Sequence, residues 1–266
     1  MDQSNKEVFE DPTDWYFFCK YLTIENRYVL TPRWEKFIKA VVETAHKRVE
    51  ILKKGTNLAR ARIGVKETQN EKYNFIIDRS PLPPDEMGAP PSEEAKDGRI
   101  NPDGISYLYL ANNKETAIAE ARPWVGAEVS VGYFTILKEQ KLINTSQDKK
   151  TFYLSPPFLG KQYTDEEKEG GVWGDMNDSF SRPVSPQESS RWYVPTQYLA
   201  EVFKTRGYDG ILYKSSLNEE GYNVALFNPA AAELFKCSMF RVEGVGYKFR
   251  ESGNPYHITK KVQDQV

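Results

Sequence analysis

Residues 98–122, GRINPDGISYLYLANNKETAIAEAR, constrain the fold more than any other stretch of the chain. Three signals follow one another there. Asn101-Pro102-Asp103-Gly104 is a turn with a mechanism, because Pro102 pre-sets φ and Gly104 tolerates a positive φ. Residues 105–111 then read as a short buried strand, with Tyr109 set among aliphatic side chains. Asn112 or Asn113 can cap a helix, Glu115 is placed for a capping box on Asn112, and Pro123 stops the helix. The expected product is loop, strand and short helix, with Arg99 ahead of the strand and Glu120 near the helix end.

The flanking chain adds strands and a few helices. An N-terminal aromatic cluster, Trp15, Tyr16, Phe17, Phe18 and Tyr21, reads as packed core. Thr31-Pro32 opens a helix whose apolar stripe runs from Trp34 through Phe37, Val41 and Ala45 to Val49, with Gly55 as its stop. His46 lies on that run as a surface or packing residue. Residues 58–63 (LARARI) alternate apolar and charged, as a half-buried strand does, so Arg60 and Arg62 share one face. On this stretch alone they read as solvent-facing strand arginines; the alternative is a pair of cations lining a groove.

The proline-rich segment through residues 81–91 reads as a loop or flap, and residues 161–190 as a surface insertion. Residues 128–137 are a strand and 195–206 a helix ended by Gly207. A strand through Tyr213 to Ser215 and a second over 223–227 suggest a hairpin, and 242–249 a last strand. Strands with irregularly spaced helices favour α+β over a doubly wound parallel sheet.

Composition excludes several classes. In 266 residues, 39% hydrophobic content with five Trp, sixteen Tyr and fourteen Phe supplies a sizeable core. A net charge of -2 without a dense basic run leaves no electrostatic footprint for nucleic acid. Two cysteines, Cys19 and Cys237, and two histidines provide neither a disulfide framework nor a zinc site, so both thiols are expected to be reduced and buried and no metal is expected. The N-terminus is unlike a signal peptide and no apolar run approaches a membrane span, so a soluble cytoplasmic protein is expected. The chain carries no GxGxxG, no GxxxxGK[ST] and no GxSxG.

Five pieces in order resemble the RES domain family: LARAR (58–62), GRINPDGISYLYLA (98–111), ETAIAEAR (115–122), VPTQYLAEVFKTRGYDGILYKSS (194–216) and YNVALFNP (222–229). The resemblance implies an ADP-ribosyltransferase-like split, mixed or antiparallel sheet with surrounding helices. It divides the chain into an N-terminal helical extension (1–57), the RES domain (58–250) and a flexible tail (251–266). It implies a toxin that consumes NAD+, by phosphorolysis or hydrolysis, and a cognate antitoxin. Arg60 matches the first family arginine, with Arg62 as the alternative because Ala59 stands where an aromatic is frequent. Tyr109, Glu120 and Ser215 match the other catalytic positions. Arg62, Arg99 and Asn223 are assigned to substrate binding.

Cleaving the nicotinamide–ribose bond passes through an oxocarbenium-like state and releases a leaving group that needs no protonation. The requirement is to stabilise the ribosyl cation and hold it in place. On this reading Glu120 faces the ribose, Arg60 with Arg62 or Arg99 holds phosphate oxygens, Tyr109 stacks on the nicotinamide, and Ser215 hydrogen-bonds the amide or ribose. No cofactor is implied: NAD+ is the substrate, with inorganic phosphate as a candidate co-substrate. Two alternatives stand beside this one, a protein ADP-ribosyltransferase on the same fold and a catalytically silent binding module. Neither direct nucleic-acid nor membrane contact is expected, and a homo-oligomer is left open.

Overall fold

The turn, strand and helix form where their residues place them. Gly104 takes a φ of 78°, Leu108–Ala111 form a strand and Lys114–Ala121 a helix. The cap is Asn113, whose side chain accepts a hydrogen bond from the Thr116 N–H at 2.7 Å. The capping box expected from Asn112 and Glu115 therefore gives way to a single cap one residue later.

The computed structural model describes residues 8–70, 75–147, 162–182 and 190–246, with Phe249 and Gly253. In chain order the elements begin α1 (Asp14–Lys20), a π-helical turn Tyr21–Glu25, α2 (Pro32–Ala45), β1 (Val49–Leu52), β2 (Asn57–Ile63), β3 (Lys66–Asn70) and β4 (Phe75–Ser80). Next come α3 (Pro84–Met87), β5 (Leu108–Ala111), α4 (Lys114–Ala121), β6 (Glu128–Ile136) and β7 (Gln140–Asn144). Last are α5 (Asp165–Ser181), α6 (Val194–Thr205), β8 (Gly210–Lys214), β9 (Tyr222–Leu226) and β10 (Ala232–Arg241).

Among the described residues, eight strands form one sheet in the order β1-β7-β8-β9-β5-β2-β6-β10, and β3 pairs with β4 as a separate hairpin. β7 and β8 run parallel, joined through α5 and α6, and the other neighbours are antiparallel. β2 and β5 share one registered pair, Ala59 with Ala111, and the sheet splits there. This is the α+β class with a split, mostly antiparallel sheet that the motifs led us to expect.

The largest core lies between the helices and one face of the sheet. Trp15, Phe18, Trp34 and Phe37 from α1 and α2 are buried together with Trp173 of α5 and Phe203 of α6. Trp173 and Phe203 stack at 6.3 Å. The indole N–H groups find partners, Trp15 on Ser179 at 2.7 Å and Trp173 on Thr44 at 3.0 Å, as buried indoles require. The N-terminal aromatic cluster thus divides: Trp15, Phe18 and Tyr21 are core, whereas Tyr16 and Phe17 are exposed.

Several expected boundaries move. The helix from Pro32 ends at Ala45 rather than Gly55, because Val49–Leu52 leaves the helix to pair with β7 at the sheet edge. Within the stretch read as a surface insertion, 161–190, Asp165–Ser181 is instead a helix with a Thr164–Glu167 capping box and with Val172, Trp173, Met176 and Phe180 buried; residues 161 and 183–189 lie outside the described residues. Its glycines concealed it, and Gly171 is needed because a Cβ there would come within 2.4 Å of the Pro12 side chain. The last strand is Ala232–Arg241, paired along β6, while residues 242–246 are irregular. The proline-rich flap contains α3, and Met87 at its end is fully buried, so this stretch contributes to the core. The segment after Ile63, read with the prolines of 81–91 as one long loop, instead begins with the paired strands β3 and β4. Both cysteines are free thiols and half-buried. The proposed tail, 251–266, lies outside the described residues apart from Gly253.

Candidate active site

One row of cross-strand neighbours organises the site. Ala59 of β2 faces Ala111 of β5, Ala111 faces Asn223 of β9, and Asn223 faces Tyr213 of β8. Registered neighbours in a sheet point to the same face, so two alanines, an amide and a phenol form a floor. The alanines keep it low. α4 crosses above, presenting Ala117, Glu120 and Ala121. The result is a pocket of about 210 Å³ where β2 parts from β5, also lined by Arg60 and Tyr109.

Glu120 is held by two neutral donors on one oxygen. Ser215 Oγ donates to Glu120 Oε1 at 2.7 Å and Asn223 Nδ2 donates to the same atom at 2.6 Å. The Ser215 oxygen accepts in turn from the Leu217 N–H at 3.2 Å, which orients its proton toward the carboxylate. Ser215 and Asn223 are both buried. Short bonds from buried donors to a carboxylate fix its rotamer and support its charge.

Arg60 is the cation of the pocket. One terminal nitrogen, Nη1, is buried and has no hydrogen-bond partner. Burial, with the Arg62 guanidinium beside it, pushes its pKa down to about 10, which still leaves it a cation at neutral pH. A buried guanidinium with an open N–H is poised for an anionic guest.

Tyr109 has its hydroxyl committed elsewhere. It accepts from the Ile100 and Asn101 N–H groups at 3.1 and 3.2 Å and donates to Asn101 Oδ1 at 2.7 Å. Burial pushes the phenol well above its ordinary pKa. Gln197 of α6 donates to the Gly98 and Asn101 carbonyls at 2.8 and 3.1 Å, so the 98–101 loop is clamped from both sides. Gly98 is required there, since a Cβ would meet Asn101 Oδ1 at 2.6 Å. Tyr109 therefore lines the pocket with its ring and anchors the loop with its oxygen.

Of the seven residues singled out in the sequence, Arg60, Tyr109, Glu120 and Asn223 line the pocket, and Ser215 joins them through Glu120. Arg62 and Arg99 are not among the lining residues. Arg62 donates to the Gly88 carbonyl at 3.3 Å. Arg99 lies 5.3 Å from the centre of the Tyr213 ring, and its Nε is buried without a partner. Tyr213 itself was missed. Burial pushes its pKa up to about 12, against the opposing pull of Arg99. Its signal was available: it stands two residues before Ser215, on the same face of a period-two strand. No group of three or more metal-ligating side chains occurs among the described residues.

The family model described as RES domain matches residues 77–241. The chain belongs to the RES domain family. The matched RES span includes Tyr109, Glu120, Ser215 and Asn223 but begins after β2, so Arg60 is tied to the site by geometry and not by the match. A chain of the crystal structure of the M. tuberculosis MbcT-MbcA toxin-antitoxin complex is similar over 76% of this chain and 92% of that one, at 12% identity and a TM-score of 0.41. No curated protein matches the chain in sequence.

Proposed function

We propose that this RES protein cleaves the nicotinamide–ribose bond of NAD+, by phosphorolysis or hydrolysis, and so depletes the dinucleotide. The observation that carries the reading is the pairing, in one pocket, of a carboxylate pinned on one oxygen by Ser215 and Asn223 with a buried guanidinium that has an open N–H. In the reaction the bond between ribose C1′ and the nicotinamide nitrogen breaks, and its electron pair leaves with nicotinamide, which becomes neutral. The ribosyl cation left behind is shared between C1′ and the ring oxygen. Glu120, with Oε2 not engaged by the two donors, stabilises that charge. An oxygen of phosphate or water then bonds to C1′, and water gives up its proton. Arg60 holds phosphate oxygens, and the Tyr109 ring is placed to pack on the nicotinamide.

The pocket volume bears on what enters. About 210 Å³ is less than the roughly 300–1,000 Å³ of sites that enclose a drug-sized ligand. It suits the nicotinamide riboside end alone, with the remainder of the dinucleotide outside. As the family resemblance implies, the cellular role we propose is a toxin restrained by an antitoxin. Incubating the protein with NAD+, with and without inorganic phosphate, tests the chemistry. The expected products are free nicotinamide with ADP-ribose 1″-phosphate or ADP-ribose. Label transferred to protein would move the reading to ADP-ribosyl transfer, and intact NAD+ under both conditions would end it.

A further inference from the structure

The N-terminal helix is apolar on every side. From Trp15 to Ile24, through α1 and the π-helical turn, the polar residues are Lys20 and Thr23. Thr23 spends its hydroxyl on the Cys19 carbonyl at 2.7 Å. One face belongs to the core, where Trp15, Phe18, Tyr21 and Leu22 are buried. At about 100° per residue, Tyr16, Phe17, Lys20 and Ile24 fall together on the opposite face, and all four are exposed. The loop behind the helix folds back on it, the Tyr21 hydroxyl donating to the Val29 carbonyl, and adds exposed Tyr28 and Val29. The five apolar residues of this surface are between 46% and 88% exposed.

A helix that is apolar all round is one that becomes buried all round. At roughly 200 Å² for a large apolar side chain, these five leave about 650 Å² in water. That exceeds the roughly 300–600 Å² of the largest patch on an ordinary monomer. It approaches the roughly 800 Å² that each partner gives to a standard interface. The chemistry of the face narrows the occupant. A strongly acidic partner would find one cation on it, and the Lys20 ammonium sits 5.6 Å from the centre of the Tyr16 ring. A bilayer takes helices with a polar face rich in Lys and Arg, whereas the far side of this helix is core. An uncharged apolar face is matched by another like it. Antiparallel packing of two α1 helices about a two-fold axis sets the same side chains on both sides. It also brings Asp11, ahead of one helix, toward exposed Arg27 behind the other, so the ends are complementary in charge.

We propose that the outer face of α1, with the loop behind it, is a homodimer interface whose occupant is the same face of a second copy of the chain. α1 then has two apolar faces and two partners, its own core on one side and the other copy's α1 on the other. The interface lies ahead of the matched RES span, 77–241, on the added N-terminal segment. It does not rest on the NAD+ reading above. No residue lining the pocket belongs to it, so breaking it removes nothing from the candidate active site.

Sedimentation velocity of the full chain over a concentration series tests this, with a dimer expected at about 50 μM. Ile24→Lys and, separately, Tyr28→Lys should raise the dissociation constant more than about tenfold while the circular dichroism spectrum stays unchanged. Trp124→Lys alters a residue that is also largely exposed but lies outside this face, and it should dimerise as the wild type does. Arg27→Asp should weaken the dimer several-fold, and Asp11→Lys in the same chain should restore it. A wild type that stays monomeric overturns the proposal, and binding of lipid vesicles or of another protein by that monomer would give the face to a different occupant. A dimer that Ile24→Lys and Tyr28→Lys both leave intact overturns it as well. Failure of Asp11→Lys to rescue Arg27→Asp overturns the antiparallel arrangement.

Discussion

The aromatic core and the pocket floor sit on one sheet and follow opposite rules. Between α1, α2, α5 and α6 the side chains are large, Trp15, Phe18, Trp34 and Trp173 among them, and the Trp15 and Trp173 N–H groups have partners. At the pocket three of the buried lining residues are alanines, Ala59, Ala111 and Ala117, and one guanidinium nitrogen of Arg60 is not satisfied. Large side chains fill space and stabilise; small ones leave space and let a polar group wait for a partner. The difference teaches that in this chain stability and reactivity are housed in separate residues, so substitutions should separate them.

The largest effect is expected in the core. Trp173→Ala removes a fully buried indole that stacks on Phe203 and lies 4.3 Å from the Arg48 guanidinium. It should cost about 3–5 kcal/mol in denaturant unfolding, while the protein that remains folded keeps its turnover. A loss of activity per folded molecule would blur the division. Next, Glu120→Gln keeps the shape but removes the charge. NAD+ cleavage should fall about 100- to 1,000-fold with a nearly unchanged melting temperature. Activity within a few-fold of wild type would mean that Glu120 is not the stabilising carboxylate.

Arg60→Met sharpens the contrast most. It removes a buried guanidinium nitrogen that has no partner. Turnover should disappear while the fold gains about 1–3 kcal/mol. A protein destabilised by this change would place Arg60 with the structural residues instead. Smallest is Ser215→Ala. Asn223 still holds Glu120 Oε1, so kcat should drop roughly tenfold, worth about 1.4 kcal/mol, with little change in KM. A large rise in KM and a steady kcat would assign Ser215 to substrate binding rather than to positioning Glu120.

The family pattern made much of the site legible, because chemistry constrains residue type where packing does not. The Asn-Pro-Asp-Gly turn, the LYLA strand and the short helix ending near Glu120 announce themselves locally. Residues 165–181 did not, since three glycines break the helical pattern, and Gly171 is explained only by the close approach of Pro12. The role of the Tyr109 hydroxyl was also hidden. A tyrosine in a strand reads alike whether its oxygen reaches a ligand or, as here, clamps Asn101.

By itself the amino-acid order determined the local pieces: which residues turn, which alternate, which cap, and that an arginine, a glutamate and a serine lie on such pieces. Only the tertiary structure decided that they share a pocket. Arg60 and Glu120 are sixty positions apart, and what brings them near is the departure of β2 from β5 after one registered pair, with α4 lying over the gap. That opening depends on alanines contributed by three different elements. No local preference encodes an opening, since it forms only when separate small residues are brought to the same place.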